Sequence, residues 1–212
     1  MGSMALTNSS DPERVLENRR RFAAAAGVPS ESITVVGAVH GAEVARIDAP
    51  AALVAGVDGL VTDSPDVSLF ATFADCYPLV IFDPDLHALA LGHAGWRGTK
   101  GGMAGQLVAA LAREYGSDPA GMLAVVGPGI CGECYEVGPE FAERFGASLL
   151  MAGRGDRLLL DLREANRLQL VAAGIPSDRI TVVDTCTLES EEFFSHRRKP
   201  DGSRFATLAF FR

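Results

Sequence analysis

The chain has 212 residues, 48% hydrophobic and 22% charged, which excludes general disorder and suffices for one domain with a substantial apolar core. Its formal net charge is -8, and no run of Lys or Arg exceeds the Arg19-Arg20-Arg21 triplet, so nucleic acid is not an expected partner. No apolar run reaches the roughly 20 residues that cross a bilayer, and no signal-peptide pattern opens the chain; a cytoplasmic protein without membrane contact is expected.

Met1-Gly2-Ser3-Met4 reads as a cloning remnant, and residues 1–10 are expected to form a disordered tail before a single domain over residues 11–212. Residues 11–27 carry helix punctuation: Asp11 as N-cap, Pro12 in the first turn and Gly27 as terminator. The pattern then changes to short β-branched stretches, ITVVGAVH, EVARI and GLVT, the first ending at His40. VSLFATFADCYPLVIFDP reads as two apolar strands broken at Asp75-Cys76-Tyr77-Pro78.

HALALGHAG is a strand with His93 near its exit, followed by a glycine-rich loop, GWRGTKGG, and the helical MAGQLVAALAREYG. MLAVVGPGI and LLLDL read as strands, with a short helix after Gly138-Pro139 between them. A helix then runs from Asp161 to Ala173, with Asp161 and Glu164 at capping-box spacing and Gly174 and Pro176 ending it. RITVVDTCT and RFATLAFFR close the chain as strands, and the whole is a mixed α/β domain without internal repeats.

Of the four histidines, His40 and His93 are flanked by glycines at strand ends, and Cys76 sits at a strand break. These three can converge as an N,N,S set that suits zinc and leaves a fourth position open. From spacing alone, a histidine at a strand end is more often a surface or hydrogen-bonding residue, and a cysteine between Asp and Tyr more often inert packing. The loop GWRGTKGG brings Arg97, Gly98, Thr99 and Lys100 near a helix N-terminus suited to an anion, but it lacks the full phosphate-loop pattern of nucleotide triphosphatases. Without a secretion signal, Cys76, Cys131, Cys134 and Cys186 are read as thiols. Cys131-Gly-Glu-Cys134 does not match the zinc-deaminase spacing, and as a metal clip it would need two more ligands, Cys186 with His196 or His87 being the candidates.

In order along the chain, VHG, FADCYP, GHAGWRGT, GPGI with YEVG, and CT with FFSHRR and Arg204 resemble the laccase-domain or multicopper polyphenol oxidase-like family, regarded as purine nucleoside phosphorylases. The resemblance spans roughly residues 11–212. It implies a layered α/β/β/α single domain with mixed sheets, and zinc held by His40, Cys76 and His93, with copper able to substitute. It also implies cleavage of adenosine, inosine and methylthioadenosine by phosphate, with adenosine deamination as a side activity.

On this reading Arg97, Gly98 and Thr99 bind substrate phosphate, and Asp75, beside the cysteine ligand, orients groups or transfers a proton. The expected partners are a purine nucleoside and phosphate, and the expected assembly a monomer or weak homodimer. A multicopper oxidase needs several His-x-His pairs, and this sequence has none. Two departures stand out. Ala38 occupies the position two before the VHG histidine where the family usually carries Gln, and the family's Arg-Gly-Gly and Ser-Leu-Asn-Leu-Gly segments are not found before the first helix, so part of the site's wall is expected to be missing. The rival reading is a Cys-His hydrolase in which Cys76 is the nucleophile and His93 its base, in line with a peptidoglycan-editing role proposed for bacterial members and the family's likeness to toxin deamidases. A metal-dependent binding module without activity is the remaining alternative.

Overall fold

The computed structural model describes residues 2–6 and 10–212. Its elements begin with α1 (Pro12–Ala26), β1 (Ile33–Gly37), β2 (Val44–Arg46), β3 (Val54–Ala55), β4 (Gly59–Thr62), β5 (Ser68–Phe73), β6 (Tyr77–Asp83) and β7 (Ala88–Ala94). They continue with α2 (Trp96–Lys100), α3 (Met103–Tyr115), β8 (Leu123–Val126), β9 (Glu136–Val137), β10 (Leu150–Ala152), β11 (Leu158–Leu160), α4 (Leu162–Ala172), β12 (Ile180–Val182) and β13 (Phe205–Ala209).

A six-stranded mixed sheet has the order β12-β8-β6-β7-β4-β2, and a four-stranded mixed sheet the order β13-β5-β1-β3. A small antiparallel sheet, β10-β11-β9, completes the set. Strand alternation explains the layering. On β7, Ala88, Ala90 and Ala94 face a core shared with Leu107, Leu111 and Leu170 of α3 and α4, while Leu89 and Leu91 face the second sheet. On β5, Leu69, Ala71 and Phe73 meet them there, and Phe70 points the other way, against Phe22 and Arg19 of α1. The order of layers is therefore α/β/β/α. Among the described residues no helix is long and apolar enough to cross a membrane.

The expected caps form. Asp11 accepts from the Arg14 N–H at 3.0 Å, and Gly27 ends α1 at φ 73°. Asp161 accepts from the Glu164 N–H at 2.9 Å, but the Glu164 carboxylate turns to Arg167 at 2.7 Å instead of closing a reciprocal box.

Two expectations need correction. GWRGTKGG is not an open loop: Trp96–Lys100 forms α2, begun by the Thr99 N–H on the Gly95 carbonyl at 2.8 Å and stopped by Gly102 at φ 79°. Gly98 serves close packing, since a Cβ there would lie 2.7 Å from the Gly41 carbonyl oxygen.

The second correction concerns the start of the chain. Met4 and Ala5 are buried, the Met4 N–H bonds the Arg204 carbonyl at 2.9 Å, and the Asn18 and Arg19 side chains of α1 donate to the carbonyls of Ser3 and Met4. Partnered backbone groups hold this segment in place, so it is no free tail. Residues 1 and 7–9 of the expected tail lie outside the described residues.

Candidate metal centre

Three connections carry the chain from the four-stranded sheet to the six-stranded one; β3 to β4 carries Asp58, and the other two, β1 to β2 and β5 to β6, carry candidate ligands. His40 lies between β1 and β2 and Cys76 between β5 and β6, while His93 is the penultimate residue of β7, paired with Pro78 of β6. The crossings bring all three to the same end of the sheets. Their donor atoms lie within 4.8 Å of one another, and the imidazole rings meet edge to face at 5.0 Å between centroids. His40 is exposed, Cys76 half-buried and His93 buried. Gly95 completes the cradle: a Cβ there would stand 2.9 Å from Cys76 Sγ and 3.3 Å from His40 Cδ2.

Asp58 organises this geometry, and sequence reasoning missed it. It precedes β4, whose Gly59 pairs with Gly92 of β7, so it falls opposite His93. Its buried carboxylate lies 2.9 Å from His93 Nδ1, which leaves Nε2 as the nitrogen available to a metal. The same carboxylate accepts the backbone N–H groups of Val39, His40 and Gly41 at 3.0, 2.9 and 2.7 Å. These bonds hold His40 at φ 63°, in the left-handed region that a non-glycine residue enters at a conformational cost. A lone Asp ahead of a short strand carries no sequence signal for such a role.

Burial opposes ionisation of the Cys76 thiol, but positive His93 and hydrogen bonds from both histidines outweigh it and pull the thiol down to about 6. Burial likewise opposes charge on His93, yet the Cys76 thiolate and the Asp58 carboxylate raise it to about 9. Without a metal, the site therefore holds a thiolate beside an imidazolium near neutral pH.

A cavity of about 540 Å³ opens over the three donors, a volume suited to a small organic ligand. Arg97 lines it, its guanidinium 4.5 Å from the Trp96 ring centroid, and Asp75 lines it at φ 82°. Both Asp75 oxygens are engaged as acceptors, one from Thr187 Oγ1 at 2.8 Å and one from the Arg197 N–H at 2.7 Å. Ala38 also lines the cavity and offers it only a methyl group.

The Thr99 hydroxyl is turned away and fully buried, paired with the Asn166 amide, and Gly98 lies against the His40 turn. Neither borders the cavity. The basic groups that do are Arg97, His196, Arg197 and Arg204, with Trp96 and Tyr135 as the large aromatic walls. Arg197 stacks at 5.3 Å on Tyr135. Ala5 supplies part of the wall, so the opening segment helps build the cavity.

Mixed sheets in this order, with an N,N,S triad gathered at one end of them, describe an α/β protein with donors for a metal ion beneath a cationic, aromatic-walled cavity. A family model described as multi-copper polyphenol oxidoreductase laccase matches residues 2–212, and the chain belongs to that family. The purine nucleoside phosphorylase of Deinococcus radiodurans is 41% identical over 193 residues, 90% of this chain and 74% of its own. The purine nucleoside phosphorylase YlmD of Geobacillus stearothermophilus is 37% identical, covering 98% of this chain and 82% of its own. The adenosine deaminase RL5, from an unknown prokaryotic organism, is 35% identical, covering 89% and 78%. The crystal structure of YlmD from Geobacillus stearothermophilus superposes with a TM-score of 0.94 at 35% identity, over 99% of this chain and 84% of that one.

Proposed function

We propose that the protein is a zinc-dependent purine nucleoside phosphorylase acting on adenosine, inosine and methylthioadenosine, with adenosine deamination as a side activity. The observation that carries this reading is the opening of the His40, Cys76 and His93 donors into a cavity with cationic and aromatic walls. Two imidazoles and a thiolate fit zinc, and three protein ligands leave one position for an exogenous oxygen or nitrogen. Copper binds the same donors, so its presence would not define the reaction.

Zinc held here would supply Lewis acidity toward the departing purine or a water. Trp96 and Tyr135 offer stacking faces to the base, and Arg97, Arg197 and Arg204 offer charge to phosphate. A phosphate oxygen forms a bond to the ribose anomeric carbon while the bond from that carbon to the purine nitrogen breaks, and the base leaves with the bonding pair and takes up a proton. Asp75, with both oxygens accepting, serves by fixing Arg197 and the Thr187 segment.

Zinc-loaded protein incubated with inosine and phosphate is expected to release hypoxanthine and ribose 1-phosphate in equal amounts. Full metal occupancy without either product would remove the phosphorylase reading and leave a metal-dependent binding module. A second reading is favoured by the line Cys76, His93, Asp58, which has the order of a nucleophile, its base and an orienting carboxylate. Iodoacetamide separates the two, since a zinc ligand is protected by the metal and a hydrolytic nucleophile reacts regardless of it.

A further inference from the structure

A second group of metal-ligating side chains lies away from the cavity. Cys131, Cys134, Cys186 and Glu189 each place a donor atom within 4.8 Å of the others. Cys131 and Cys186 are buried, Cys134 is half-buried and Glu189 reaches solvent. The arrangement joins two distant stretches of chain. Cys131 and Cys134 sit on one turn, closed by the Cys134 and Tyr135 N–H groups on the Cys131 carbonyl. Cys186 arrives from the segment after β12, where Gly129 and Cys186 form an isolated parallel bridge.

One of the three sulfurs, that of Cys186, is held by backbone donors. The Cys131 N–H points at Cys186 Sγ at 3.3 Å. Burial opposes ionisation of Cys186, but that N–H and those of Leu188 and Glu189 bring its thiol below the ordinary value. Burial and the neighbouring sulfurs push Cys131 above its ordinary range. Cys134 is also raised, by burial first. Three sulfurs and a carboxylate drawn together from two distant segments offer a cation four donors. Arg198 braces the Cys186 segment from outside, donating to the carbonyls of Thr187, Leu188 and Ser190.

We infer that Cys131, Cys134 and Cys186, completed by Glu189, form a second zinc site, structural in role and separate from the His40, Cys76 and His93 centre. Three sulfurs and one oxygen supply the four ligands a structural zinc needs, and a sulfur-rich set selects zinc over hard cations. This zinc clips the turn that carries Ile130 and Tyr135 to the segment that carries Thr187. Both bear on the cavity: Ile130 and Tyr135 line it, and Thr187 bonds Asp75 on one side and the Gly129 carbonyl on the other. The unfolded chain does not present such a site, so zinc bound here stabilises the fold through its binding free energy.

The test uses the full chain with the first centre removed, as the triple variant His40→Ala, Cys76→Ser, His93→Ala. After dialysis against trace-free buffer, elemental analysis is expected to find one zinc per chain in this variant and two in the unaltered protein. Adding Cys134→Ser to the triple variant is expected to bring the count from one to zero. Peptide mapping of the unaltered, zinc-loaded protein gives an independent reading if a variant fails to fold: Cys131, Cys134 and Cys186 should resist iodoacetamide until a chelator is added. A folded triple variant without zinc, or a Cys131–Cys186 or Cys131–Cys134 disulfide in the mapped native protein, would overturn the site. Neither result bears on turnover of inosine, so this site and the phosphorylase reading fail separately.

Discussion

The Asp58 carboxylate lies 2.9 Å from His93 Nδ1 and 2.9 Å from the His40 N–H, so one buried anion sets the orientation of both histidines. Asp58→Ala leaves three backbone N–H groups and an imidazole nitrogen without this partner. The His93 end of this network is buried and would be left unpaired, while the loop N–H groups can turn to water, so a loss of about 1–3 kcal/mol in folding stability is expected. Metal affinity should fall about 10- to 100-fold, as it does when a ligand's orienting partner is removed. Denaturant unfolding and competition with a chromophoric chelator measure the two effects.

Gly95→Ala separates the cradle from the fold. Its new methyl would stand 2.9 Å from Cys76 Sγ, which must shift away from the histidines. The backbone at Gly95 is extended, with φ -82°, so Ala is tolerated conformationally. Zinc binding should weaken at least about 10-fold with less than about 1 kcal/mol lost in stability. Unchanged zinc affinity would show that the thiolate is not a ligand.

Metal binding should release protons in a pH-dependent number. Coordination needs Cys76 as thiolate and His93 neutral. With the thiol at about 6 and the imidazole at about 9, this pair at neutral pH holds one proton to lose, that on His93. Below the thiol value it holds two, and above the imidazole value none. Calorimetry of zinc binding in buffers of different ionisation enthalpy should show the count falling in these steps as pH rises. A count independent of pH would contradict the assigned ligand pair.

Arg97 faces the cavity without entering the metal cradle. Arg97→Ala should raise the KM for phosphate about 10- to 100-fold, the loss of one or two charge-assisted hydrogen bonds, with a smaller change for inosine. Thr99→Val provides the contrast. Its hydroxyl is committed to Asn166, so the change should lower stability and leave the phosphate KM within about two-fold.

Much of this architecture is legible locally. Asp11 with Gly27, and Asp161 ahead of α4, act through neighbours a few residues away, so their caps can be read from the chain. The candidate ligands are legible because glycine-flanked histidines and a Cys-Tyr-Pro break mark strand ends. Asp58 is not, since its partners come from another loop and another strand and meet only through the pairing of β4 with β7. The same holds for Arg197 and Tyr135, brought to the cavity by segments far along the chain. GWRGTKGG misled in a physical way. Its glycines suggested freedom, whereas Gly95 and Gly98 permit close approach to Cys76 Sγ and the Gly41 carbonyl, and Trp96–Lys100 winds into a helix. The cysteine clip was half legible: Cys186 does join Cys131 and Cys134, but Glu189, and neither His87 nor His196, stands with them.

The most direct measurement is phosphate-dependent cleavage of inosine by metal-free protein, zinc-loaded protein and the zinc-treated Cys76→Ser variant, followed by chromatography of hypoxanthine and ribose 1-phosphate. Turnover restricted to the zinc-loaded unaltered protein, with the two products equal and none formed without phosphate, is the predicted result. Equal turnover in all three samples, or no product from a fully metal-loaded centre, would contradict it.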